Sequence, residues 1–272
     1  MLTFAFDAGG DDRTQVITVA GFASSTHHWD EFSAAWRECL RKHGIEFFRA
    51  VDAAHFRGPF QHWHDLPKNE REKRRRALFS ELMPILKQNV FRKFGCTIIN
   101  GAFSQMAANL KHEFALTAYS VAGRACEKRA REWVIAEWKN PNMPVELVFE
   151  RGDAGQTKLQ KRLADDNCFV PTFKPKLDSY QDGLLDPGFV PLQAADWLAY
   201  EESLAVKQAE AGKVVDSMSE FRWAFQEFLG IQGNTGVFTI QDMKQFEDML
   251  RLSKELNEWW ASFNPSLQVK AR

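Results

Sequence analysis

The sequence is poor in cysteine: four residues in 272, at positions 39, 96, 126 and 168, none in a C-x-x-C pair. That spacing argues against a disulfide framework and against a thiolate zinc site, and points to a reducing, cytoplasmic compartment. No run approaches the roughly 18 to 20 apolar residues that a membrane span needs. The opening "MLTFAFDAGG" lacks the basic and apolar regions of a standard secretion signal, so a soluble protein with no membrane partner is expected. Charge of one sign is missing too: 35 basic residues face 36 acidic ones, net -1. Without a global positive field, any nucleic-acid contact must come from local patches. Neither G-x-x-x-x-G-K-[ST] nor G-x-G-x-x-G occurs, which disfavours nucleotide-driven and dinucleotide enzymes. Repeats and low-complexity tracts are absent as well.

What remains is a globular composition, 44% apolar with 23 Phe and 9 Trp, enough for one large core. Short β-branched and aromatic runs at 2–6, 15–23, 91–100, 145–150 and 168–174 read as five strands. "DAGGDDRT" reads as a hairpin between the first two. Trp29, Phe32, Trp36 and Leu40 recur at helical spacing and end at Gly44. Further helical patterns cover 67–88, about 103–138 as one helix or two, 155–166 and the stretch from Pro191. Beyond them lie helical 219–229, a Gly-rich loop at 230–236, and a last helix opened by a Thr239/Asp242 capping box. Later strands are separated by helices, as crossovers require, so the expectation is an α/β sheet with helices on both faces. The chain reads as a single domain over 1–272, with an insertion at 45–90 and a helical C-terminal extension at 212–272.

Two strands end alike, "FAFDAGGD" and "LVFERGDAG", each presenting an acid (Asp7, Glu150) before a glycine turn. Ligands of open α/β sheets sit outside the carboxyl ends of strands. If the first and fourth strands are parallel neighbours about 4.8 Å apart, both acids enter one crevice. "VPLQAADWLAYE" adds a third acid, Asp196, on an otherwise apolar helix, where an unpartnered carboxylate is costly. It needs a cation, a donor cluster or a metal. Three such acids would repel one another unless a cation bound, and hard oxygen ligands favour Mg²⁺ or Mn²⁺. Asp153 reads as an outer ligand or a loop cap. Acids at strand ends also serve simply as turn formers.

Other candidates are weaker. His62 and His64 in "QHWH" share a face if extended, but lack a third ligand and read as surface or packing residues. Lys73, Arg74, Arg75 and Arg76 are interrupted by Glu70 and Glu72 and read as a solvated helix face. Lys174 and Lys176 in "FKPK" follow the fifth strand, near the crevice, where a cation would meet an anionic substrate. Trp29, Trp36 and the "EWW" at 258–260 are most simply core or interface residues.

Taken together, "FDAGG", "VAGFASSTHHWDEFSAAW", "FFRAVDAAHFRGPFQHW", "VFERGD" and "PLQAADWLAYE" resemble an uncharacterised bacterial domain family. Its members open with a strand ending D-E-S-G, close on an L-Q-x-A-D helix and are grouped with the ribonuclease H-like fold. The resemblance covers most of the chain. It implies a ribonuclease H-like mixed five-stranded sheet with a helical insertion between strands two and three. It also implies a Mg²⁺- or Mn²⁺-dependent phosphodiester hydrolase, a nuclease acting on RNA or DNA, with Asp7, Glu150 and Asp196 as catalytic metal ligands. Lys174, Lys176, Asp52 and Arg49 are the expected substrate contacts. The chain departs from the pattern at Ala8 and Gly9, which replace Glu and Ser, and at Arg49, which replaces His; Asp52 is kept. Those departures leave open a ribonuclease H-like binding or regulatory module with impaired catalysis, and the near-neutral charge permits a hydrolase of a small phosphorylated substrate.

Overall fold

The computed structural model describes residues 1–10, 15–139, 143–165, 169–181, 184–212 and 222–263. The chain opens with β1 (Leu2–Gly9) and β2 (Val16–Ser25), then α1 (Thr26–Lys42), α2 (Ala50–His55), a 3-10 turn (Gly58–Trp63) and α3 (Lys68–Asn89). It continues through β3 (Arg92–Ile99), α4 (Asn100–Ser104), α5 (Ala108–Glu113), α6 (Ala118–Trp138), β4 (Val145–Glu150) and α7 (Gln156–Asp165). Last come β5 (Pro171–Lys174), a small hairpin of β6 (Ser179–Gln181) and β7 (Leu184–Asp186), α8 (Pro191–Glu210), α9 (Trp223–Leu229), β8 (Gly233–Phe238) and α10 (Ile240–Phe263). Among the described residues no helix is long and apolar enough to cross a membrane.

The central sheet is mixed and six-stranded, in the order β5-β4-β1-β2-β3-β8. β1 pairs antiparallel with β2 and parallel with β4; β2–β3 is antiparallel, while β4–β5 and β3–β8 are parallel. The sixth strand is a correction, because 230–236 reads as a loop from its glycines. In β8, Gly233 lies against the Lys93 backbone and Gly236 against the Arg129 guanidinium, where side chains would collide. Here glycine marks the close approach of another chain segment, a meaning composition does not separate from a turn. The helical pattern at 103–138 also divides into three helices, with Thr117 and Ser120 forming a reciprocal capping box that restarts the chain as α6. At the start of α10 the expected box is present: Thr239 N–H donates to Asp242 Oδ2 at 2.8 Å. The "DDRT" half of the expected hairpin, Cys168 and the side chains of Glu258, Trp259 and Trp260 lie outside the described residues.

Strand alternation splits the core in two. Phe4, Phe6, Val19, Phe94, Leu147 and Phe149 face α6 and α7, whereas Ala5, Ala20, Phe22 and Val148 face α1, α3 and α8. Trp29 and Trp36 are buried on the second side, as expected. α8 starts with Pro191, tolerated in a first turn, and is buried almost all round, as a helix with Leu192, Ala194, Ala195, Trp197, Leu198 and Ala199 should be. It comes so near β1 that a Cβ on Gly9 would stand 2.7 Å from the Ala199 carbonyl oxygen. Gly9 thus sets the depth at which α8 meets the sheet. Replacing it with alanine should lower stability by about 1–3 kcal/mol through overpacking, read as a reduced urea midpoint at unchanged m. An unshifted midpoint would mean that α8 yields freely at this contact.

Candidate functional site

β1 and β4 run in register from Leu2↔Val145 to Phe6↔Phe149, so the next residues of each, Asp7 and Glu150, leave the sheet side by side. By alternation both point to the α8 face, as Ala5 and Val148 do. From α8, Asp196 comes down over the same edge. All three carboxylates meet one ammonium: Lys176 Nζ lies 2.7 Å from Asp7 Oδ2, 2.9 Å from Glu150 Oε2 and 3.1 Å from Asp196 Oδ1. The Asp7 side chain is wholly buried and that of Lys176 is 9% exposed.

Lys176 is held from several directions. It follows Pro175, whose carbonyl accepts from Phe189 N–H at 2.8 Å, closing the base of the β6–β7 hairpin. Gly188 N–H donates to Asp178 Oδ1 at 2.8 Å across the same base. Gln193 Nε2 donates to the Lys176 carbonyl at 3.3 Å, while Gln193 Oε1 accepts from Trp36 Nε1 at 3.1 Å and Phe48 N–H at 2.9 Å. A single buried amide therefore ties the lysine loop, α1 and the segment before α2 to α8. Asp196 uses its second oxygen to accept from the backbone N–H of Ala50, so the irregular insertion supports the cluster through its main chain.

Burial pushes the Asp7 carboxyl up to about 8; Lys176 opposes the rise and Glu150 adds to it. Burial likewise lifts Asp153 to about 7, with the Asp7 charge adding and Lys176 and Tyr119 resisting. Asp196 is also raised by burial, against the pull of Lys176. Burial alone would lower Lys176, but Asp7, Asp196 and Glu150 together drive it well above an ordinary lysine. Asp153 brings an oxygen within 4.8 Å of those of Asp7 and Glu150. Its Oδ2 is sealed from solvent with no hydrogen-bond partner, as is the Tyr119 hydroxyl near it. Tyr119, in the first turn of α6, is itself pushed upward by burial and by the neighbouring acids.

The expected acids Asp7, Glu150 and Asp196 are therefore brought together, and Asp153 lies among them rather than at a distance. Lys176 is their common partner. Lys174 is not with them: in register with Glu150, it turns back to Glu146 Oε1 at 2.8 Å and packs over the Phe189 ring. Its place in "FKPK" suggested the crevice, but the proline between the lysines sends only the second inward. Arg49 is exposed at the start of α2, and the Asp52 carboxylate lies against Gly58. His62 lies in the 3-10 turn and His64 just after it, so they do not have the extended spacing that would put them on one face. Arg74 and Arg75 pair with Glu70 and Glu72 along α3. Tyr119 had no sequence signal of its own beyond the Thr117–Ser120 box that orients its helix. Compared with known proteins, the chain matches no family model, no curated protein and no solved structure.

Two outcomes follow from the electrostatics. Lys176→Met leaves buried acids without their cation and should cost about 3–5 kcal/mol near neutral pH, with the loss shrinking toward pH 4 as the acids protonate; a loss independent of pH would deny the charge its role. For Asp7 the folded pKa exceeds the unfolded one. Its contribution is therefore fully present below the ordinary value of 3.8 and is lost as pH rises toward about 8. In chelator, the melting temperature of Asp7→Asn relative to wild type should climb between pH 4 and 8, and a flat difference would contradict the raised pKa.

Proposed function

We propose that the chain is a divalent-metal-dependent phosphodiester hydrolase of ribonuclease H-like architecture, acting on RNA or DNA. The fold reading is supported by the order β5-β4-β1-β2-β3, with β1, β2 and β3 antiparallel and β1, β4 and β5 parallel. The observation that carries the chemistry is the convergence of acids from β1, β4 and α8 at one sheet edge, with the unpartnered Asp153 oxygen beside them. An all-carboxylate donor set suits Mg²⁺ or Mn²⁺. Asp7, Glu150 and Asp153 would hold the ion, with Asp196 at the side. When bound, the ion supplies charge neutralisation on a phosphoryl oxygen.

The chain's own groups have distinct parts. Asp153 would hold the ion with Asp7 and Glu150 through a carboxylate that burial keeps out of water. The Tyr119 hydroxyl lies beside that carboxyl and favours its charged form. Lys176 keeps the acids from repelling one another and presents positive charge to the anionic substrate. Hydrolysis should therefore require Mn²⁺ or Mg²⁺. Asp7→Asn and Asp153→Asn should each lower kcat by about 10²–10³-fold, the usual cost of one electrostatic stabiliser. A panel of RNA, DNA and small phosphorylated substrates reads the class. No turnover on any of them, together with no Mn²⁺ binding by calorimetry, would sink the hydrolase.

A second reading has its own support. Lys176 lies within 3.1 Å of all three carboxylates, so the cluster is partly neutralised internally, as suits a binding or regulatory module that has given up the reaction. Ala8 and Arg49, at positions where the resembled family carries Glu and His, favour the same reading. Mn²⁺ binding with turnover decides for the first, and folding without either decides for the second.

A further inference from the structure

α1 and α3 carry a second constellation that the carboxylate site does not use. Cys39 and His43 are one helical turn apart at the end of α1, and Glu81 faces them from α3. One ligand atom from each, Sγ, a ring nitrogen and a carboxylate oxygen, lies within 4.8 Å of the other two. The three differ in softness, so the set is not the all-oxygen kind that suits Mg²⁺.

The local contacts aim the inward atoms at one another. Lys42 Nζ holds Glu81 Oε2 at 2.8 Å, which turns Oε1 toward His43 Nε2, 3.2 Å away. That nitrogen is sealed from solvent yet makes no hydrogen bond of acceptable geometry. Cys39 is a buried free thiol, 6% exposed, on the same side. A contact made only for packing would be expected to pair or omit a buried ring nitrogen, since nearly all buried polar atoms in folded proteins are satisfied. Glu81 remains 39% exposed and gives an ion a way in.

We propose that Cys39, His43 and Glu81 form a Zn²⁺ site, with a water as fourth ligand. Thiolate, imidazole and carboxylate are the three protein donors zinc takes, and three of them with one open position is a recognised zinc arrangement. Binding displaces the Cys39 thiol proton to solvent, and the thiolate, the imidazole lone pair and the carboxylate supply the electron pairs. Burial and Glu81 push the free thiol up to about 11, so the ion must itself favour the thiolate. An occupied site would join the end of α1 to α3.

Co²⁺ serves as the spectroscopic probe on the full chain, kept reduced with a phosphine. One equivalent should give a thiolate-to-cobalt charge-transfer band with intense tetrahedral visible bands, and Zn²⁺ should abolish both. Cys39→Ser should remove the charge-transfer band. Glu81→Gln, at a partly exposed position that does not threaten folding, should weaken binding by more than the ~10–100-fold that changes outside the ligand set cost. Asp7→Asn should leave the band unchanged, which separates this site from the carboxylate cluster. The proposal fails if saturating Co²⁺ gives no charge-transfer band, if the band survives Cys39→Ser, or if Glu81→Gln binds Co²⁺ as tightly as wild type.

Discussion

The Lys176 ammonium is the contact on which the rest of the site depends. Asp7 is wholly buried and Asp196 nearly so, and such carboxylates are tolerated only with an opposite charge and hydrogen bonds. Holding one lysine among three acids requires the chain after β5 to turn sharply, which Pro175 and the base of the β6–β7 hairpin accomplish. It also requires α8 to fix the turn, through Gln193 to the Lys176 carbonyl. The puzzle of an acid in an apolar helix is therefore solved twice: Asp196 has a cation on one oxygen and the Ala50 N–H on the other.

Sheet topology explains why the acids meet where they do. β1 has an antiparallel neighbour on one side and a parallel one on the other. The chain leaving β1 passes to β2, while the chain leaving β4 passes to α7. A crevice opens between connections that diverge from parallel strands, and Asp7 and Glu150 are the residues at its floor. α8 forms the wall only because β1 offers Gly9 where any side chain would hold the helix away. Gly9 thus has a steric duty independent of any chemistry at the strand end.

The strand ends and α8 were legible because their signals are local. An apolar run that stops at an acid and a glycine declares its own edge, and a charge on an apolar helix asks for a partner. Five strands could therefore be expected from order, and the convergence of Asp7, Glu150 and Asp196 followed once the first and fourth strands paired as parallel neighbours. Lys176 could be placed near the crevice but not among the acids, since Lys174 and Lys176 look alike and only the turn at Pro175 distinguishes them. β8 was hidden because its glycines answer to Lys93 and Arg129, residues far away in sequence. Tyr119 and the Cys39–His43–Glu81 group were missed for the same reason. Each depends on a contact between elements, whereas C-x-x-C and similar motifs carry their geometry within one segment.

Charge balance sets what the carboxylate site can tolerate. Asp7, Glu150, Asp153 and Asp196 would carry four negative charges if all were ionised, and Lys176 offsets one. Burial, with the neighbouring acids adding to it, raises Asp7 to about 8 and Asp153 to about 7 against the pull of Lys176. In the proposed metal site, lysine and a divalent ion together would come closer to neutral than either alone. If the proposed site is right, Mn²⁺ affinity measured by calorimetry should rise with pH, as it does wherever ligands must lose protons to bind.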